Sequence, residues 1–188
     1  QVTAGTMVIS HKHKFAYPFV TKTATMSIRT LLVDRFAGAR SGRLRTPPDG
    51  CRGYFTFATC RNPYDRMVSW WYRVIKHLKG DEYGHKRELA SAGLGQSLFD
   101  FLTLWERKGG FAQHEVADAN PGITFIRTEN LEEEFNSLPF VGEHVEVPRI
   151  NATPRPHWGD LLDARSGGHI NRVYSEDFAL GGYEMLDF

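Results

Sequence analysis

A three-layer α/β domain built around a mainly parallel central sheet is the fold this sequence predicts, and three observations predict it. Apolar and aromatic runs of strand length recur at Phe15-Ala-Tyr-Pro-Phe-Val20, Tyr54-Phe-Thr-Phe-Ala58 and Ile123-Thr-Phe-Ile126. Segments with apolar residues at helical spacing follow them. The first two runs pass through a short polar loop into their helix, which is the alternation that βα units require.

Taken in order, the first run has the length of a buried strand, although Pro18 removes a ladder donor and places this strand at an edge or makes it irregular. Ile28, Leu31, Leu32 and Phe36 then fall at helical spacing, with Ser27 placed to begin the helix. After the second strand, Asn62 suits an N-cap, Pro63 the first helical position and Asp65 the positive end of the helix dipole. Tyr64, Met67, Val68, Trp71, Tyr72 and Ile75 mark one apolar stripe along that helix. Leu98, Phe101, Leu102 and Trp105 predict another helix, and Leu131 with Phe135 a short one after the third strand. Ile170, Val173, Tyr174 and Phe178 predict a closing helix. The remaining stretches at 38–53, 79–96 and 142–169 read as loops, and the last two are expected to shape an acceptor cleft.

The chain has 188 residues, 41% hydrophobic and 13% aromatic, which is enough for one core, so 1–188 reads as a single domain. Its 23 Lys+Arg nearly balance 22 Asp+Glu, giving a net charge of +1. That balance excludes the charge signature of disorder and any bulk-charge argument for nucleic acid. No apolar run approaches the roughly 18–20 residues that span a bilayer, and no signal-peptide pattern opens the chain. A soluble chain with no membrane segment is expected, with a cytoplasmic location favoured. Cys51 and Cys60 are too few for a disulfide scaffold or a four-thiolate zinc site.

Chemistry concentrates in two segments. Thr21-Lys-Thr-Ala-Thr-Met-Ser27 places one lysine and several hydroxyls between a strand and a helix. Backbone N–H groups at a helix N-terminus lack intrahelical partners and the dipole adds positive charge, so an anion is favoured there. An ordinary capped turn with a solvent-facing lysine fits the same residues. The G-x-x-x-x-G-K-S/T pattern of nucleoside-triphosphate P-loops is absent. In Arg61-Asn-Pro-Tyr-Asp-Arg-Met-Val-Ser69, Arg61 ends a strand and Ser69 lies two turns into a helix. Asp65, Arg66, Ser69, Arg73 and Lys76 lie off the apolar stripe, where a solvated polar face is the ordinary outcome. A second phosphate, held by Arg61 through its planar fork and by Ser69 through its hydroxyl, is the sharper one.

Together and in this order, the two segments resemble the cofactor loops of sulfotransferases that use 3′-phosphoadenosine 5′-phosphosulfate (PAPS). The first resembles the family's P-K-T-A/G-S/T-T-S loop, and 61–69 resembles its R-N/D-P-x-x-R-x-x-S motif. Phe125-Ile-Arg-Thr-Glu-Asn-Leu-Glu-Glu-Glu-Phe135 is similar to its E-N-L-x-x-D/E-F stretch, and Tyr174-Ser-Glu-Asp-Phe-Ala-Leu-Gly-Gly-Tyr183 to its closing Y-x-x-D-F-x-x-x-G-Y. The likeness spans roughly residues 8 to 183 and is greatest to the carbohydrate-sulfotransferase branch. It implies a P-loop-like sulfotransferase fold and transfer of a sulfuryl group from PAPS to a hydroxyl of a carbohydrate or similarly polar acceptor. Lys22 would bridge the sulfuryl group and the leaving phosphate, with Thr23, Ala24, Thr25, Met26 and Ser27 holding the 5′ end. Arg61 and Ser69 would hold the 3′-phosphate. Thr21 stands where the family usually has Pro, and Met26 where it usually has Thr, which removes one hydroxyl.

In-line sulfuryl transfer asks mainly for positioning and for charge aimed at the leaving phosphate, which a lysine supplies without a metal. His11-Lys-His13 is a pair rather than a three- or four-ligand set and reads as a solvated lead-in to a strand. Glu132-Glu-Glu134 reads as a solvated helix face or a favourable charge near a helix start. For the base that takes the acceptor proton, His114 is the first candidate among eight histidines, with Glu115, Glu129 or another His as alternatives. Asn151-Ala-Thr-Pro-Arg155 fits a polar loop over the cofactor and a surface turn equally. Two other functions stay open on the sequence: a nucleotide-phosphate kinase using the loop at Lys22, and an inactive nucleotide-binding module on the same fold.

Overall fold

The computed structural model describes residues 6–42, 44–78, 97–150 and 154–188, with 76–78 by backbone alone. The expected loop at 79–96 lies outside them. The chain divides into two compact units: Val2–Arg61 with Phe111–Ala152, here the sheet unit, and Asn62–Gly110 with Thr153–Phe188, here the helical unit.

The sheet unit holds five strands, β1 (Val8–Ser10), β2 (Phe15–Tyr17), β3 (Ala39–Arg40), β4 (Phe55–Cys60) and β5 (Thr124–Arg127), in the order β3-β1-β2-β4-β5. β2, β4 and β5 run parallel, whereas β1 is antiparallel to both β2 and β3. The sheet is therefore mixed, not mainly parallel as expected. The cause is local: His11-Lys-His13 and Lys14 form a tight turn, with Lys14 at φ 53, that folds β1 back onto β2. That turn leads directly into β2, so the two histidines lie in the expected lead-in to a strand, with His11 exposed and His13 half-buried. β1 has three residues and β3 has two, too few for a readable alternation. β3 and a 3-10 turn at Asp49–Cys51 both fall in the stretch expected to be loop. β2 stops at Tyr17, so Pro18 ends the strand instead of distorting it.

Helix α1 (Thr25–Arg35) turns Ile28, Leu31 and Leu32 into one core cluster with Val8, Phe15, Tyr17 and Phe57 of the sheet. Phe135 of α5 (Leu131–Asn136) joins the same cluster, and Phe140 packs against Phe15 with ring centroids 4.5 Å apart. Ile28 and Leu32 are fully buried; each such side chain contributes about 1.5–3 kcal/mol relative to an exposed one. Val20, Ala58 and Val116 of α4 (His114–Ala119) make a separate cluster. The acidic run is only partly solvated. Glu134 receives both the main-chain N–H and Nε of Arg127 at 2.7 Å, and Glu132 accepts from the Val147 N–H at 3.0 Å.

The helical unit comprises α2 (Pro63–Leu78), α3 (Leu98–Arg107), α6 (Ala164–Val173) and α7 (Ser175–Gly181), with a 3-10 turn at Trp158–Asp160. α2 buries Tyr64, Met67 and Val68 completely, the start of the expected stripe. Ser97 caps α3 by accepting the Asp100 N–H at 3.1 Å, and Asp163 caps α6 by accepting the Ser166 N–H at 2.7 Å. The expected closing helix is two helices, because the chain bends at Tyr174. α7 ends where Gly182 takes φ 64, so that Tyr183 N–H reaches the Phe178 carbonyl at 2.9 Å, a closure a side chain at that position would strain. Among the described residues, no helix is long and apolar enough to cross a membrane.

Candidate functional site

In the sheet unit, the chain leaves β2 and makes a loop whose backbone is left-handed at Lys22 (φ 68) and Ala24 (φ 55) before α1 begins at Thr25. Residues other than glycine adopt this hand at a cost of about 1–2 kcal/mol, so the surroundings must hold it. They do so through hydroxyls. Tyr17 OH lies 2.8 Å from Thr59 Oγ1, Thr59 Oγ1 lies 2.7 Å from Thr23 Oγ1, and Thr23 donates to the Val20 carbonyl at 3.0 Å. Thr25 Oγ1 donates to the same carbonyl. A chain running from Tyr17 to Thr59 to Thr23 to Val20 gives each hydroxyl proton one acceptor. Burial pushes the Tyr17 phenol up to about 12, with the Thr59 hydrogen bond pulling the other way, so it stays protonated at neutral pH.

The hydroxyls expected to face a cofactor are thus turned inward. Thr23, Thr25 and Ser27 are all buried, and Ser27 Oγ accepts the Ile150 N–H at 3.0 Å. Met26, where the family usually has Thr, is 42% exposed. For an anion the loop offers the start of α1, where helix N–H groups lack intrahelical partners, and the half-buried Lys22 beside it.

Arg61 follows the last residue of β4, where the ladder to β5 has ended at the Cys60–Arg127 pair. Its main chain is held by one side chain: Arg61 N–H donates to Gln113 Oε1 at 2.8 Å, and Gln113 Nε2 donates to the Arg61 carbonyl at 2.9 Å. The Arg61 guanidinium then reaches the loop, Nη1 donating to the Lys22 carbonyl at 3.3 Å. Lys22 and Arg61 are therefore brought together. His114 heads α4 directly after Gln113 and is half-buried. Glu115, an alternative base, accepts the Ala112 N–H at 3.1 Å and lies 4.0 Å from Arg45. Glu129 is exposed and accepts from Thr128 Oγ1 at 3.2 Å.

The helical unit holds the rest of the second motif. Asn62 Oδ1 accepts the Tyr64 N–H at 2.9 Å, the expected cap over Pro63. Asp65 pairs with Arg155. Arg66 does not lie on a solvated face. It is fully buried, with Nη1 3.3 Å from Oδ2 of an equally buried Asp177 in the closing motif. Its position off the apolar stripe marked a polar partner rather than water. Ser69 is half-buried on α2. Asn151–Thr153 lie outside the described residues.

Compared with protein-family models, curated proteins and solved structures, the chain finds no match. Among those described, no group of three or more His, Cys, Asp or Glu is placed to hold a metal ion. Two features carried no sequence signal strong enough to find: Gln113, a single amide outside any motif, and the Tyr17–Thr59 pair.

Proposed function

We propose that this chain is a PAPS-dependent sulfotransferase acting on a hydroxyl of a carbohydrate or similarly polar acceptor. The observation that carries the proposal is the 3.3 Å contact between the Arg61 guanidinium and the Lys22 carbonyl. It joins the two loops that follow the carboxyl ends of the parallel strands β2 and β4, the end of an α/β sheet where ligands collect. The donor set fits a doubly anionic nucleotide: backbone N–H groups and an ammonium at one loop, a planar fork at the other. When bound, PAPS supplies the sulfuryl group. Lys22 stabilises charge developing on the leaving phosphate, Arg61 recognises the 3′-phosphate, and His114 takes the acceptor proton. Thr23 and Thr25 serve by holding the loop, Ser27 by joining it to Ile150. Ser69 enters through its place in the motif.

A thermal-shift comparison tests the ligand class. 3′-Phosphoadenosine 5′-phosphate should stabilise the chain more than ATP or adenosine 5′-phosphosulfate, since a ligand at 100 times its Kd adds about 2.7 kcal/mol. Stabilisation by ATP with magnesium alone would move the loop at Lys22 to a kinase. Binding of the 3′-phosphorylated nucleotide without transfer to any acceptor would identify an inactive module.

Two substitutions sharpen the assignment. Loss of a charge-assisted hydrogen bond costs about 1.5–3 kcal/mol, so Arg61→Ala should weaken 3′-phosphoadenosine 5′-phosphate by roughly 10- to 150-fold. Adenosine 5′-phosphate should be nearly unaffected; equal losses for both would make Arg61 structural. His114→Ala should leave nucleotide binding intact and abolish the acidic limb of the pH–rate profile. Persistence of that limb would pass the base to another group.

A further inference from the structure

We propose that Gln113 is a positioning residue that sets the site's preference for a 3′-phosphorylated nucleotide, by fixing the main chain of Arg61. The inference rests on the proposed function and extends it to a residue outside every motif. Arg61 stands one position past the last pair of the β4–β5 ladder, and there its main-chain N–H and C=O both meet Gln113. The Gln113 amide, fully buried and 52 residues away in sequence, answers both groups at 2.8 and 2.9 Å. A primary amide presents a donor and an acceptor side by side, which is what this pair of main-chain groups requires. The clamp extends the sheet by one residue and fixes the point from which the Arg61 side chain sets out toward the Lys22 carbonyl. A guanidinium recognises phosphate through a planar fork, so its value depends on where its Cα is held.

The test compares 3′-phosphoadenosine 5′-phosphate with adenosine 5′-phosphate by calorimetric titration of the full chain, because their affinity ratio isolates the 3′-phosphate. In wild type the ratio should favour the 3′-phosphorylated nucleotide, and Gln113→Ala should lower it about 10-fold, with adenosine 5′-phosphate binding unchanged. Gln113→Glu adds a readout that a merely structural residue would not move. The ionised carboxylate accepts from the Arg61 N–H but cannot donate to the Arg61 carbonyl, whereas the protonated acid does both. The ratio in Gln113→Glu, relative to wild type at the same pH, should therefore recover as pH falls, and Gln113→Ala should show no recovery. If wild type shows no preference for the 3′-phosphate, the nucleotide reading of the site fails. If wild type has the preference and folded Gln113→Ala keeps it, or loses affinity equally for both nucleotides, the positioning role is overturned. Should Gln113→Ala not fold, the Gln113→Glu ratio decides alone, and its failure to recover overturns the role.

Discussion

Replacing Lys22 with alanine is expected to lower sulfuryl-transfer turnover by a factor on the order of 10² to 10³, with nucleotide affinity changed only a few-fold. The asymmetry follows from where charge appears. Under the proposed function, ground-state binding is shared among backbone N–H groups and Arg61, whereas charge grows on the leaving phosphate only as the sulfuryl bond breaks. The substitution is unusually clean because Lys22 sits at φ 68. Alanine must adopt the same left-handed conformation at a similar cost, so fold stability should hold while the ammonium is lost. Steady-state kinetics with saturating donor, beside a direct nucleotide titration, separates the two effects. Unchanged turnover would remove Lys22 from the chemistry, and a loss of affinity with turnover at saturating donor unchanged would give it a uniform binding role instead.

The strand-to-helix junctions at which Lys22 and Arg61 sit were legible, because such junctions are marked by cap residues and a change of period. The side chains that hold these junctions were not legible. The hydroxyls of Thr23 and Thr25 read either as phosphate donors or as caps of the turn, because only partners close in sequence are visible there. Their partners in the structure are Thr59, which is 36 residues away from Thr23, and the Val20 carbonyl. Gln113 is hidden for the same reason: its partners are backbone atoms, and backbone atoms have no sequence signature.

The fold shows the same division. β4, β5 and the helices α1, α2 and α3 were foreseen within a few residues because each carries enough apolar positions to define a period. β1 and β3 are too short to do so, and missing them turned a mixed sheet into a mainly parallel one. Pro18 was weighed correctly as a defect of a strand, but the simpler outcome, an end to the strand at Tyr17, fits its fixed φ and missing donor.

Arg66 was the misread charge with the largest consequence, and it carries the second large expected effect. Asp177→Ala should destabilise the protein by about 3–5 kcal/mol, because it leaves a guanidinium in the interior without this carboxylate. At about 2–4 °C per kcal/mol for a chain of this size, the melting temperature should fall by about 6–20 °C. Both side chains are 0% exposed and lie 3.3 Å apart, so neither solvent screening nor rotation into water relieves the remaining charge. The pair joins α2, which carries the second motif, to α7, which carries the closing one, so it accounts for two motif positions by stability rather than by contact with nucleotide. An exposed pair provides the contrast. Arg52 and Asp49 are 2.8 Å apart but 83% and 90% exposed, and Asp49→Ala should cost less than about 1 kcal/mol. The double variant Arg66→Met with Asp177→Leu separates the charge effect from packing, because replacing both partners of a buried pair with apolar groups is often close to neutral. Recovery of most of the lost melting temperature in the double variant is the expected result. A single Asp177→Ala variant as stable as wild type would mean that Arg66 is held by its other neighbours and that the motif aspartate has a different task.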